Sequence, residues 1–174
     1  MIKIYTEGSS DKTFLTSLCE YLNIETEIFV INGNNIAKYL NLIQSDLNDE
    51  RINRICIIMD SDKDFNQTKE NIKYALKDVY NNIELFLLPY NKIHNEYGEL
   101  ETLLRKIAKY PKYIQCFYNY IKCLGKDIKE KEINKSMIYA YEQACKGRNK
   151  KETLLDFYNL NSLELNPLID FLKK

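Results

Sequence analysis

The chain has 174 residues, 45% of them hydrophobic and 29% charged, which suits one domain or one domain with an appendage and argues against disorder. Its 25 Lys/Arg balance its 25 Asp/Glu, which excludes a uniformly basic or acidic chain. Because it contains no run of about 18 apolar residues and no signal-peptide layout at residues 1–5, we expect a soluble, cytoplasmic protein without a membrane partner.

The first half of the chain alternates strand and helix patterns. Residues 54–59 form a continuous apolar run, which is typical of a strand covered on both faces. The predicted order β-α-β-α-β-α-β favours the α/β class, with a four-stranded, mostly parallel sheet flanked by helices. The strands are predicted at residues 2–6, 26–31, 54–59 and 83–88, with helices at 10–22, 36–47 and 67–80.

After Pro89 the pattern becomes helical. We expect these helices to pack on the sheet rather than to form a free domain. Helices are predicted at residues 99–110, 112–124, 134–146, 152–158 and 163–172, with breaks at Pro111, Gly125, Gly147 and Pro167.

The cysteines are odd in number and include no CxxC pair, which argues against a zinc ribbon or a disulfide framework. We expect reduced and mostly buried thiols. The five are Cys19, Cys56, Cys116, Cys123 and Cys145.

The zero net charge conceals an asymmetry along the chain. Residues 1–101 carry 10 Lys/Arg and 17 Asp/Glu, whereas residues 102–151 carry 13 Lys/Arg and 4 Asp/Glu. This pattern favours cations bound at one place and a polyanion at another. A solvated helical surface is the alternative explanation.

Acidic residues follow three of the predicted strands. Glu7 follows the first strand, Asp60 and Asp62 follow the third, and Glu101 comes after the fourth. In an open parallel sheet, ligands bind outside the carboxyl ends of the strands, where the strand order reverses. With a 2-1-3-4 order, Glu7, Asp60 and Asp62 would converge there, and an extended backbone would point Asp60 and Asp62 to one side.

Clustered carboxylates need cations, because two of them about 4 Å apart repel by roughly 4 kcal/mol at an effective dielectric near 20. Mg²⁺ prefers carboxylate oxygens, and a single histidine with no cysteine cluster makes zinc a poor fit. The structural alternatives are a helix start capped by Ser9 or Ser10 with Asp11 in its first turn, and a polar loop at 60–64.

The segments IKIYTEGSSDKTFL (residues 2–15) and ICIIMDSDKD (residues 55–64) resemble the signature of the Toprim fold family. That signature is a hydrophobic strand followed by Glu-Gly, and a later strand ending in Asp-x-Asp. The family includes topoisomerases, bacterial primases, recombination-repair proteins and nucleases of the overcoming-lysogenization-defect type. The resemblance implies a Rossmann-like Toprim domain at residues 1–105, with a helical C-terminal extension at 106–174.

Two features resemble the nuclease branch and small stand-alone Toprim proteins. Glu7 and Asp11 match its pattern of two acids four residues apart, and GELETLL (residues 98–104) resembles the segment after the fourth strand. The resemblance implies Mg²⁺ or Mn²⁺ as cofactor and Glu7, Asp60 and Asp62 as catalytic residues, with Glu7 also a general acid or base. The implied metal ligands are Glu7, Asp11, Asp60, Asp62 and Glu101.

The expected function is therefore Mg²⁺-dependent phosphotransfer, as a nuclease that cleaves DNA or RNA by a two-metal mechanism. One alternative is a non-catalytic, metal-binding Toprim module that binds nucleic acid or a protein partner. Another is a nucleotidyl transferase of the primase kind. No tyrosine stands out as a topoisomerase nucleophile. The partner expected is nucleic acid, with a homodimer or a partner protein left open.

Lysines and tyrosines interleave between Arg105 and Lys151, a composition that suits binding to phosphates and unpaired bases. The alternative is that Tyr113 and Tyr120 belong to a helical core together with Phe117 and Ile121. His94 could assist proton transfer or be incidental. The predicted nucleic-acid contacts lie in the segment CKGRNKK and are Lys146, Arg148, Lys150 and Lys151.

Overall fold

The chain divides into two compact units. The computed structural model describes residues 1–91, 98–125, 130–146 and 153–174, with the backbone alone at 130 and 131. Unit 1 comprises Met1–Leu100 and Asn166–Lys174, and unit 2 comprises Glu101–Leu165. The C-terminal segment, which the sequence placed in the helical extension, is thus part of unit 1.

Unit 1 contains a four-stranded sheet in the order β2-β1-β3-β4. All three neighbouring pairs are parallel. The prediction of a parallel α/β sheet is confirmed, including the neighbouring positions of β1 and β3, and the arrangement is Rossmann-like. The strands are β1 (Ile2–Thr6), β2 (Thr26–Val30), β3 (Arg54–Asp60) and β4 (Glu84–Leu88).

The helices agree with the predicted positions and differ at their ends. The segment predicted as a helix at 152–158 forms a short 3₁₀ helix at Leu154–Phe157 among its described residues. The predicted break at Pro111 is present, between a helix that ends at Ile107 and one that begins at Pro111, where the missing proline N–H has no intrahelical partner to lose. The helices are α1 (Ser9–Tyr21), α2 (Leu40–Leu47), α3 (Phe65–Leu76), α4 (Leu100–Ile107), α5 (Pro111–Leu124), α6 (Glu130–Lys146) and α7 (Asn166–Lys173).

Helices cover both faces of the sheet. The chain moves from β1 to β2 in one direction and from β2 to β3 in the other, so right-handed crossovers place α1 opposite α2 and α3. One face packs Tyr5, Ile57 and Leu87 against α2 and α3. On the other face the Phe86 ring lies 5.2 Å from the ring of Phe171 in α7. Burial from both sides explains why the interior of β3, residues 55–59, is apolar.

The cysteines were expected to be mostly buried, and that expectation is wrong for the second unit. Cys19 and Cys56 are buried in unit 1, where burial raises the pKa of the Cys56 thiol to about 11. Cys116 and Cys123 on α5 are exposed. Their seven-residue spacing puts both on the outer side of the helix, away from Ile114, which is buried.

Unit 2 is held together by contacts between its helices and the segment after α6. An antiparallel bridge joins Ala108 to Tyr158, and the Lys109 N–H donates to the Phe157 carbonyl at 3.0 Å. The hydroxyl of Tyr141, a buried residue of α6, donates to that same carbonyl. The short segment after α6 is thereby joined both to the residues that precede α5 and to α6 itself.

Candidate functional site

A cleft of about 130 Å³ lies at the carboxyl edge of the sheet in unit 1. Glu7, Asp60 and Asp62 all line it. Glu7 directly follows β1 and Asp60 ends β3, and these two strands are neighbours, with Thr6 paired to Ile58. The sheet order thus brings Glu7 together with two acids that follow it by more than 50 residues in the sequence.

Asp60 is 93% buried at the end of β3, since its exposed fraction is 7%. Its Oδ1 accepts a hydrogen bond of 3.1 Å from the backbone N–H of Leu100, the first residue of α4. A carboxylate at this position therefore both lines the cleft and holds the backbone of Leu100.

Ser61 fixes the turn that carries the acids. Its N–H donates to the carbonyls of Leu88 (3.2 Å) and Gly98 (3.0 Å), and its Oγ accepts from the Gly98 N–H at 2.9 Å. The Asp62 N–H also donates to the Gly98 carbonyl at 3.1 Å, and the Thr68 hydroxyl donates to the Ser61 carbonyl at 3.1 Å. Gly98 has φ of 153°, which favours glycine. The turn is held on two sides before any ligand binds.

The expectation that Asp60 and Asp62 share an extended backbone is wrong. The strand ends at Asp60, and Asp62 has φ of 50°, the left-handed conformation that aspartate tolerates better than most residues. Asp62 is exposed where Asp60 is buried. The two side chains reach the same cleft through a turn. Asp64, two residues later, caps α3 by accepting from the Gln67 N–H at 3.0 Å.

Asp11 has a structural contact that the sequence offered only as an alternative. It is the third residue of α1, and its Oδ2 accepts a 2.7 Å hydrogen bond from the Gly8 N–H. Gly8 has an ordinary extended conformation with φ of −133°. A Cβ at Gly8 would lie 3.3 Å from that Asp11 oxygen, so the glycine is explained by the close approach of this carboxylate.

Amide side chains form another wall of the cleft, and the sequence analysis missed them. Asn34 and Asn35 follow β2, and the Gly33 N–H donates to the Glu7 carbonyl at 3.2 Å, which joins the two loops. Asn71 lines the cleft from α3, with its Oδ1 accepting from Gln67 Nε2 at 2.8 Å. The sequence signal that could have indicated these residues is the segment NGNN (residues 32–35), which comes just after β2, the strand that pairs with β1.

One family model matches nearly the whole chain. The family model described as Protein of unknown function (DUF3226) matches residues 2–174. The chain belongs to this family. No curated protein and no solved structure matches it. The DUF3226 match runs through both compact units, so the helical unit is as much part of the family as the acidic cleft.

The described residues that line the cleft of this DUF3226 chain do not include Glu101 or Lys146. Glu101 is buried in the first turn of α4 and belongs to unit 2. Lys146 is exposed at the end of α6. Arg148, Lys150 and Lys151 lie outside the described residues, as does His94. Among the described helices, none is long and apolar enough to cross a membrane.

The cleft of the DUF3226 chain favours cations. Of the described side chains that line it, three are carboxylates and none is a lysine, arginine or histidine. Oxygen donors of this kind suit Mg²⁺ and Mn²⁺. Within residues 1–91, 98–125, 130–146 and 153–174, however, no group of three or more His, Cys, Asp or Glu side chains is arranged to hold a metal ion. The side chains that line the cleft therefore suit a hydrated ion that one or two carboxylates would hold, with water or substrate oxygens as its other ligands. Mg²⁺ is usually bound in this way.

The two roles of Asp11 can be separated by substitution. We expect Asp11→Ala to lower the free energy of unfolding by about 1 kcal/mol, because the Gly8 N–H loses its acceptor. Asp11→Asn keeps an acceptor oxygen and should be close to wild type in urea denaturation. Both variants should bind Mn²⁺ like the wild type in calorimetry. Weaker Mn²⁺ binding by Asp11→Asn at unchanged stability would instead make Asp11 a ligand.

Proposed function

We propose that this DUF3226 chain is a Mg²⁺-dependent phosphotransferase of the Toprim kind, a nuclease that hydrolyses phosphodiester bonds in DNA or RNA. One observation carries the proposal. Glu7 and the pair Asp60 and Asp62, the acids of the Glu-Gly and Asp-x-Asp segments, line one cleft at the ends of two adjacent parallel strands.

The electrostatics of the cleft support a substrate that arrives with a cation. Three carboxylates with no cationic side chain among the described lining residues would repel a phosphodiester on its own. A divalent cation bound by Asp60 and Asp62 would offset two of the three negative charges, and it would supply activation of a water and stabilisation of the leaving oxygen. The cleft is thus suited to a metal and a phosphate together.

The remaining residues have roles that follow from their contacts. Ser61 and Gly98 hold Asp62 in position, so that the cleft is formed before the substrate binds. Glu7 is half-buried, lies just before α1 and lines the cleft. Its carboxylate would exchange a proton with a reacting oxygen or complete the metal's ligands. Asn71 has its oxygen engaged by Gln67, so its N–H groups are what it offers to a phosphate oxygen.

Hydrolysis is tested with labelled single- and double-stranded DNA and RNA in Mg²⁺ or Mn²⁺, beside calorimetric titration of Mn²⁺. We expect divalent-dependent cleavage that falls at least about 100-fold in Glu7→Gln. Glu20→Gln is the matched control, because Glu20 is an exposed acid of α1. The Mn²⁺ stoichiometry distinguishes a one-ion from a two-ion mechanism. Failure to cleave any of the four substrates with either ion would overturn the proposal.

A second candidate is a non-catalytic module that binds a metal and nucleic acid. The observation that favours it is that one Asp60 oxygen already accepts the Leu100 N–H, while Asp11 binds the Gly8 N–H. Asp60 and Asp11 thus already serve as acceptors for backbone N–H groups. Binding of Mn²⁺ and of an oligonucleotide without cleavage would establish this module in place of the nuclease.

A further inference from the structure

Unit 2 displays a stacked pair of exposed tyrosines at the start of α5. Tyr110 is 49% exposed and Tyr113 is 43% exposed. Their ring centroids lie 5.5 Å apart with an interplanar angle of 26°, which is a stacked arrangement. The alternative that Tyr113 belongs to a helical core is therefore wrong, and the buried residue beside it on α5 is Ile114. Each ring covers part of one face of the other, and the rest of the pair is open to solvent.

The pair is fixed by the interior of unit 2. The Tyr110 N–H donates to the hydroxyl of Tyr141 at 3.3 Å, and the Tyr113 N–H donates to the Tyr110 carbonyl at 3.0 Å. The Tyr113 ring also lies 6.5 Å from the ring of Tyr141. Tyr141 is 2% exposed and is anchored on the Phe157 carbonyl. Since the rings are held before a ligand arrives, stacking on them costs little conformational entropy.

Positive charge flanks the pair. Lys109 and Lys112 are both exposed and lie directly beside the two tyrosines in the sequence KYPKY. Lys109 also faces Asp156, whose pKa it helps to lower, after the hydrogen bonds from Thr153. Unit 2 as a whole carries 13 Lys/Arg and 8 Asp/Glu, a net charge of +5.

We propose that Tyr110 and Tyr113 form a stacking platform for unpaired bases, and that Lys109 and Lys112 contact the neighbouring phosphates. The ligand is a single-stranded nucleic acid, because the bases of a duplex are already stacked on each other and present no free face. Lysine is depleted at the centres of protein interfaces, which disfavours a protein partner here. The inference rests on the proposed function only in taking nucleic acid as the ligand, and it does not depend on the acidic cleft.

The test is fluorescence anisotropy of the full chain with a labelled 20-nucleotide oligothymidylate, in EDTA so that no metal in the cleft contributes. Tyr110→Ala should weaken binding by about 5- to 100-fold, whereas Tyr110→Phe keeps the ring and should bind within about twofold of wild type. Tyr139→Ala is the matched control, since Tyr139 is 67% exposed on α6 of the same unit. A blunt duplex of the same length should bind more weakly and respond little to Tyr110→Ala.

A second variant tests the phosphate contact and guards against a folding artefact. Lys112→Ala should reduce the slope of log K against log salt concentration by about 0.7 for the single strand. It should do so without changing the circular dichroism spectrum. Tyr110→Ala is the decisive variant, because Tyr110 is the more exposed of the two tyrosines and the Tyr113 ring beside Tyr141 is left in place.

The outcomes separate this inference from the proposed hydrolysis. Tyrosine-dependent binding in EDTA together with no cleavage in Mg²⁺ or Mn²⁺ would support the platform and overturn the nuclease. Equal binding by wild type and Tyr110→Ala would overturn the platform, whatever the cleavage result. Concentration-dependent self-association that Tyr110→Ala abolishes, with no oligonucleotide binding, would make the pair a protein interface and overturn it as well.

Discussion

The variant Asp60→Asn is expected to lose at least about 100-fold of the divalent-dependent cleavage rate at unchanged stability. Its amide presents the same shape and still offers an Oδ1 acceptor to the Leu100 N–H, so the 3.1 Å hydrogen bond at the start of α4 is kept. What is lost is the negative charge facing the cleft. Cleavage assays and urea denaturation on the same preparation measure the two effects separately.

Asp60→Ala should lose both cleavage and stability. The Leu100 N–H is then left without its acceptor in a buried environment, which costs about 1–3 kcal/mol in the free energy of unfolding. Asp64→Asn is the neighbouring control, because asparagine caps a helix as well as aspartate and Asp64 binds the Gln67 N–H. Cleavage by Asp60→Asn at the wild-type rate would remove this carboxylate from the mechanism.

The largest expected effect on stability comes from Arg54→Ala, at about 3 kcal/mol in the free energy of unfolding. Arg54 begins β3 and binds both carboxylate oxygens of Glu84 on β4, at 2.9 and 3.0 Å. It also donates to the carbonyls of Phe171 (3.0 Å) and Leu172 (3.3 Å), and its guanidinium lies 5.8 Å from the Phe171 ring. One side chain thus ties two strands to the end of α7.

Urea denaturation gives the loss of stability, and limited proteolysis should show cleavage within α7 at an earlier time. Arg54→Lys should recover only part of the loss, because an ammonium cannot form the paired contacts of a guanidinium. Arg51→Ala is the matched control, since the Arg51 side chain is 84% exposed and its pair with Asp49 is a surface ion pair worth under about 1 kcal/mol. Equal effects of Arg54→Ala and Arg51→Ala would contradict this account of α7.

The strands and their order were predictable because they depend on local hydrophobic patterns and on the handedness of crossovers. Residues 55–59 are apolar because helices cover both faces of β3, and the convergence of Glu7 with Asp60 follows once β1 lies beside β3. A strand buried on both faces can be identified in a sequence as a continuous run of apolar residues. The location of the cleft was therefore accessible from the sequence.

The details of the site were not predictable, since each depends on contacts between distant residues. The hydrogen bonds between Ser61 and Gly98 span 37 residues. No pattern in DSDKD indicates the left-handed conformation of Asp62, and only the coordinates distinguish Asp11 as a cap from Asp11 as a ligand. Exposure of Tyr113 depends on which side of α5 packs against its neighbours, and helical spacing alone does not determine that.

The contacts of Ser61 have a consequence for where this chain can change in length. The Ser61 N–H donates to both the Leu88 and the Gly98 carbonyl, so both residues are held at one point beside the acidic turn. Residues inserted between those two anchors would not displace Asp60 or Asp62. Closing a longer segment costs little, about 0.6 kcal/mol for each doubling. A longer segment at this position would therefore leave the acidic turn unchanged.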